Sequence, residues 1–278
     1  RMARTKYKIK TKLFSSLAFI SYSCNSSIRV ICVYVFVFFF LVFAISGCSL
    51  KEAKTDYELL NEGQKSFANG RFDRAEELFK KLLDSHPDSK LRAYAMMEMA
   101  DSLYKADKFQ EASFQYREFY ELYPVHKDTV RARFYKGMSE FSEIKSPDRD
   151  QSPAKNAIED FKKIVSNRDY LDSPFYEESR RKIEECRKML AENVFLIGKF
   201  YFRTASYQSV INRINDLLEE YPAEPYEDEA MYYLAESYYR EEGFKNALIE
   251  FQKLIEKYPH SLYVSIARGR IADMERVR

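Results

Sequence analysis

The chain has 278 residues, 46% apolar and 32% charged, with only 7 Gly and 8 Pro, which excludes collagen-like and disordered classes. Its net charge of +2 misleads, because residues 1–47 hold seven basic residues (Arg1, Arg4, Lys6, Lys8, Lys10, Lys12, Arg29) and no acid. The rest carries 38 basic against 43 acidic residues, net −5, and lacks the basic face of a nucleic-acid binder, so no nucleic-acid partner is expected.

Residues 30–46, VICVYVFVFFFLVFAIS, are apolar almost throughout, with basic residues before them and small residues after. That is the order of a secretory signal. The uninterrupted core, Val30 to Ile45, is 16 residues long, short of the ~20 a spanning helix needs, so cleavage is favoured over retention. Ile45-Ser46-Gly47-Cys48 looks like a bacterial lipobox, which implies that Cys48 is lipidated and heads the mature chain. A thiolate suits attack on a lipid donor, and stable anchoring needs more than one acyl chain. The alternatives are an ordinary cysteine at a signal cleavage site or at the end of a membrane helix. Ser49 and Leu50 follow, with no Asp beside Cys48; in lipoproteins of this kind that implies the outer membrane. Residues 1–47 are therefore read as signal peptide and 48–55 as a lipidated tether.

Cys24, Cys32 and Cys48 lie in or at the end of this segment, leaving Cys186 alone beyond it. No intrachain disulfide is possible among residues 49–278, and no Cys spacing suits a metal.

From Asp56 the sequence repeats itself. Gly63 and Ala100 are 37 residues apart, as are Ala75 and Ala112, Phe79 and Tyr116, Pro87 and Pro124, and later Pro222 and Pro259. The pattern resembles the tetratricopeptide repeat, two antiparallel helices with small residues at their crossing and a closing proline. Large apolar residues at i, i+3, i+4 fill the grooves, and proline stops the second helix. Five units are expected. The first runs from about Asp56 to Pro87 and the second from Ala93 to Pro124. The third starts near Val130 with Gly137; its second helix, with Ala157 and Phe161, is delayed about eight residues by the loop KSPDRDQSP, 145–153. The fourth holds Val194, Gly198, Val210, Ile214 and Pro222; the fifth holds Met231, Ala235, Ala247, Phe251 and Pro259. Residues 174–204 predict one long helix, Phe175 to about Arg203, some 40 Å at ~1.5 Å per residue, with Cys186 as a small buried residue. Residues 261–276 predict a capping helix with Ser261 as its N-cap. The expected fold is all-α: an α-solenoid of about five helix pairs, units 1–3 over 56–173, then the long linking helix, units 4–5 and the cap over 174–278.

Reactive groups do not converge. His86, His126 and His260 sit beside unit-ending prolines and read as turn residues. Acidic pairs such as Glu76-Glu77, Glu177-Glu178 and Glu219-Glu220 read as solvated helix faces. No phosphate loop, nucleophile elbow or zinc helix is present, so no enzyme, metal or cofactor is expected. Adjacent tyrosines, Tyr232-Tyr233 and Tyr238-Tyr239, suit either neighbouring-helix packing or a protein-binding groove.

Together the lipobox, five units, a third unit broken by an acid-rich loop and a long middle helix resemble the BamD family, the outer-membrane lipoprotein of the β-barrel assembly machinery. DRDQSPAKNAIEDFKKIV, 148–165, and SVINRINDLLEEYP, 209–222, carry the resemblance most specifically. It implies a lipid-anchored scaffold on the periplasmic face of the outer membrane. Its C-terminal units would dock a periplasmic domain of the barrel-forming partner, with Arg213 near the contact. Its N-terminal units would receive the C-terminal strand of unfolded outer-membrane proteins or a targeting peptide, and other assembly lipoproteins would be partners. The alternative is another repeat lipoprotein coordinating envelope or division complexes; an enzyme, such as a cell-wall hydrolase accessory, lacks a site.

Overall fold

A computed structural model describes residues 53–222 and 225–276. The readings for the signal segment and for Cys48 lie outside the described residues. Eleven α-helices and one short 3-10 turn, with no strand, make up the described residues. In chain order they are α1 Asp56–Ala68, α2 Phe72–Ser85, α3 Arg92–Lys105, α4 Phe109–Leu122, α5 Thr129–Ser142, α6 Ser152–Val165, the 3-10 turn Arg168–Tyr170, α7 Pro174–Arg203, α8 Tyr207–Glu220, α9 Glu227–Arg240, α10 Phe244–Lys257 and α11 Val264–Arg276. They form an α-solenoid of tetratricopeptide-like pairs: α1/α2, α3/α4, α5/α6, the C-terminal half of α7 with α8, and α9/α10.

Each pair is closed by one steric device. A Cβ built at Gly63 would meet the Phe79 ring at 2.5 Å, one at Gly137 the Phe161 ring at 2.7 Å, and one at Gly198 the Ile214 Cδ1 at 2.5 Å. In the second and fifth pairs Ala100 and Ala235 take the small position, and Tyr116 and Phe251 the large one; all four are fully buried. The large residue follows the small one by 16 positions in four pairs and by 24 in the third. That excess of eight is the loop between α5 and α6.

Prolines end four of the five second helices through the residue before them; α6 ends at Val165 without one. His86, Tyr123, Tyr221 and Tyr258 each precede a proline, and each has φ between −127° and −134° with ψ of 62–66°. Proline excludes its predecessor from the helical region, so the helix stops one residue earlier. The turn between paired helices uses a left-handed residue at Gly70, Asp107, Ala205 and Glu242. Only the first is the glycine that such a conformation favours.

The long helix α7 belongs to two units. Cys186 and Leu190 pack with α6, and Ala191, Phe195 and Gly198 face α8. Tyr221 packs into both clusters, the Arg187 guanidinium lies 5.3 Å from its ring centroid, and an Arg187 Nη donates to the Glu220 carbonyl at 2.8 Å. That bond satisfies a carbonyl left orphaned by the end of α8. The α5–α6 loop leans on the same helix, where the Asn193 amide donates to the Pro147 carbonyl.

Cys186 is fully buried, and burial pushes its thiol up to about 12 from an ordinary 9.0. The thiolate is the reactive species. Iodoacetamide is therefore expected to leave Cys186 unlabelled in native buffer and to label it fully in urea, read by peptide mass spectrometry. Labelling of the folded protein at a free-thiol rate would refute this burial. The raised folded value also means that an unfolded chain ionises first as pH climbs above 9.0, so this group's contribution to stability falls from there upward.

One boundary departs from the sequence reading. The last helix begins at Val264, and Ser261 is not its N-cap. The Ser261 hydroxyl donates to Asp228 at 2.6 Å and accepts from the Tyr263 N–H at 3.2 Å. Asp228 thus draws the serine into an inter-unit staple, as Asp56 does with Ser89 at 2.5 Å in the first unit.

Candidate protein-interaction surface

First helices of neighbouring units touch one another (α1 with α3, α5 with α7, α7 with α9), whereas second helices of neighbouring units do not share comparable contacts. First helices therefore line the shorter, inner curve, the surface that helical-repeat proteins use for binding. Two networks of buried charge fix that surface, one in each half.

In the N-terminal half the network centres on Asp101 of α3. It accepts from the Tyr116 hydroxyl of α4 at 2.6 Å and from the Arg131 guanidinium of α5. Tyr116 is fully buried. Arg131 also lies 5.6 Å from the Tyr135 ring centroid, and Tyr135 stacks on Tyr116 at 5.8 Å. One carboxylate thus ties three helices across the second and third units. Gln64 of α1 donates to the Tyr94 hydroxyl at 2.8 Å, extending the inner face to the first unit. Burial, then the charge of Asp101, raises the Glu98 carboxyl, against a hydrogen bond from Tyr94. Tyr57 and Tyr94 leave their rings 68% and 44% exposed on these first helices, amphipathic surfaces suited to protein contact.

In the C-terminal half α9 is the keystone. Glu227 accepts from the Tyr258 hydroxyl at 2.7 Å and from Lys257; Glu229 pairs with Lys199 of α7 at 2.8 Å. Burial would raise Glu229, but hydrogen bonds from Lys199 and Tyr233 outweigh it and hold the carboxyl low. Glu236, 1% exposed, accepts from Arg240 at 2.8 Å and from two nitrogens of Arg270 on α11 at 2.8 Å each. The Arg270 guanidinium sits 4.6 Å from the Tyr239 ring centroid. The adjacent tyrosines resolve toward packing: Tyr233 stacks on Phe202 at 4.3 Å, Tyr232 on Tyr263 at 4.6 Å, and Tyr238 and Tyr239 are half-buried in the last core.

Arg213 lies on α8, a second helix, and is half-buried with its Cγ near Gly198. Among the described residues it has no hydrogen-bond or ion-pair partner. The buried acids were missed at the sequence level, yet they had a signal. Asp101 and Glu236 each directly follow the small residue of a first helix, with an arginine 30 or 34 positions on. The described residues contain no group of three His, Cys, Asp or Glu side chains able to hold a metal ion. None of their helices is long and apolar enough to cross a membrane.

Residues 52–247 match the YfiO family, described as an outer membrane lipoprotein. The chain is similar to the outer membrane protein assembly factor BamD of Rickettsia prowazekii (strain Madrid E), at 26% identity over 195 residues, covering 68% of this chain and 77% of the relative. It is also similar to BamD of Xylella fastidiosa (strain Temecula1), at 26% identity, covering 67% and 69%. Among solved structures, the TPR2AB domain of yeast Sti1 in its pHSP90 complex aligns with a TM-score of 0.38 at 17% identity, covering 80% of this chain and 83% of that one.

Proposed function

We propose, from the premise that this chain belongs to the YfiO family of outer membrane lipoproteins, that it serves outer-membrane protein assembly as a non-catalytic scaffold. In this reading Cys48 carries the lipid that holds the chain at the periplasmic face of the outer membrane, and residues 48–55 are its tether. The C-terminal units dock a periplasmic domain of a barrel-forming partner, and the N-terminal inner face receives segments of unfolded outer-membrane proteins. Other assembly lipoproteins share the surface. The names of the curated relatives support the process, and the tyrosine-bearing inner face supports the mode.

The observation that carries the docking claim is the state of Arg213. Arg131, Arg187, Arg240 and Arg270 all find partners inside the fold, while Arg213 has none among the described residues. An arginine held half-buried offers a planar fork to a carboxylate of another chain. Because no internal contact depends on its charge, Arg213→Glu is expected to keep the wild-type helical content and melting temperature. In a pull-down from membranes it is expected to hold its barrel partner roughly tenfold more weakly, about 1.4 kcal/mol. Equal capture by both forms would remove Arg213 from the interface. Cross-linking that recovers division or envelope-coordination proteins and no barrel would replace the assembly reading with the alternative one.

A further inference from the structure

We propose that the inner face of α3 selects bound polypeptide segments that carry a lysine or arginine, whose cation pairs with the Glu98 carboxylate beside the exposed ring of Tyr94. The proposal rests on the reading above, in which the N-terminal inner face receives unfolded segments, and names what that face selects for.

The repeat places these groups on one open strip. Tyr57, Tyr94 and Arg131 recur 37 residues apart, at one equivalent position of α1, α3 and α5. Asn61 and Glu98 are related in the same way, one helical turn further along α1 and α3. Tyr57, Asn61 and Tyr94 are exposed and Glu98 is half-buried, so a passing chain can reach all four.

The cation that would serve Glu98 from within the fold is already committed. Neighbouring first helices are joined by a side-chain clasp between residues 30 apart: Gln64 with Tyr94, Asp101 with Arg131, and Lys199 with Glu229. Arg131 is the cation whose charge reaches Glu98, and the clasp gives it to Asp101. Two carboxylates therefore share one guanidinium. The C-terminal network differs, because Glu227, Glu229 and Glu236 each hold a lysine or arginine of their own. Among the described residues no cation forms an ion pair with Glu98. Burial first, and then the like charge of Asp101, hold its carboxyl above the ordinary value, against the hydrogen bond from Tyr94. An incoming cation would favour the ionised form.

The site is also preorganised. The Tyr94 hydroxyl accepts from the Gln64 amide at 2.8 Å and donates to Glu98, which fixes the ring beside the carboxylate. An aromatic ring next to an anion suits an ammonium or guanidinium group, by cation–π attraction and a charge-assisted hydrogen bond. A fully exposed pair would contribute little. Here the fold already covers half of the carboxylate and a bound segment would cover more. An acidic side chain at the same place would meet uncompensated negative charge, so the site also discriminates by repulsion.

The probe is an array of short overlapping peptides from an outer-membrane β-barrel protein, incubated with the full chain. Each peptide is made twice, once natively and once with every lysine and arginine replaced by norleucine. Wild-type protein is expected to hold the native members of its bound set about tenfold more tightly than the norleucine members, the worth of one charge-assisted hydrogen bond. Glu98→Gln keeps an acceptor for Tyr94 and relieves the repulsion from Asp101, so its melting temperature is expected to match or exceed the wild type. It is expected to bind native and norleucine peptides alike, at the wild-type level for norleucine. Native and norleucine peptides bound equally by the wild type would overturn the cation site and leave the segment-receiving reading standing. So would a norleucine penalty of the same size in Glu98→Gln, since the basic residue would then be read elsewhere. If the wild type bound no peptide of either kind, both the proposal and the reading beneath it would fall.

Discussion

Asp101→Ala is expected to lower unfolding stability by about 3 kcal/mol, because it strands the partners of a buried carboxylate. The Tyr116 hydroxyl has no water to turn to, since the side chain is fully buried. Arg131 is only partly shielded and can turn its guanidinium toward solvent, so the tyrosine contributes most of the penalty. Two milder variants separate the contributions. Asp101→Asn keeps an acceptor for Tyr116 and loses only the charge of the pair, which predicts a loss of about 1–2 kcal/mol. Tyr116→Phe removes the donor and leaves Asp101 with Arg131, for about 1 kcal/mol. Urea unfolding followed at 222 nm reads all three. An alanine variant within 0.5 kcal/mol of wild type would show that the network does not hold units two and three together. The functional consequence lies on the same residues: Asp101 fixes Arg131 and, through it, Tyr135 on the inner face. A chain carrying Asp101→Asn is folded enough to test whether that face needs the fixed arginine.

The repeat was legible because it is local. A small residue, a large one 16 positions later and a proline that displaces its predecessor from helical geometry are written in the primary spacing, and eight extra residues before Phe161 announced the loop. The buried anions were hidden because they are not local. Glu236 looks like any acid on a charged helix until Arg270, 34 residues on, is brought against it. The acidic pairs that read as solvated do contain one exception to simple exposure: Glu76 holds Lys108 of the next unit at 2.7 Å. Ser261 failed as an N-cap for the same reason. Its hydroxyl answers Asp228 across the unit boundary, and a local capping rule does not see that carboxylate.

The steric pairing of Gly137 and Phe161 predicts a reversal of sign that a merely propensity-driven helix would not produce. Phe161 is fully buried, so Phe161→Ala opens a cavity and is expected to cost about 3–5 kcal/mol. Gly137→Ala alone gains helix propensity, about 1 kcal/mol. It also drives a methyl to 2.7 Å from a ring that has nowhere to go, at about 1–3 kcal/mol. The net expectation is a loss. With Phe161→Ala already in place the obstruction is gone, and the same Gly137→Ala step should stabilise by up to about 1 kcal/mol. A double-mutant cycle then returns a coupling of about 2 kcal/mol, within the range for residues in direct contact. Additive effects would mean that α5 and α6 do not close on each other through this pair. Because each helix pair is closed by the same small-to-large contact, the cycle transfers to Gly63 with Phe79 and Gly198 with Ile214. The third unit is the informative place to run it. Its two helices are held apart in sequence by the loop that Asn193 pins to α7, so the ring and the glycine must find each other without the tight left-handed turn that the other four pairs possess.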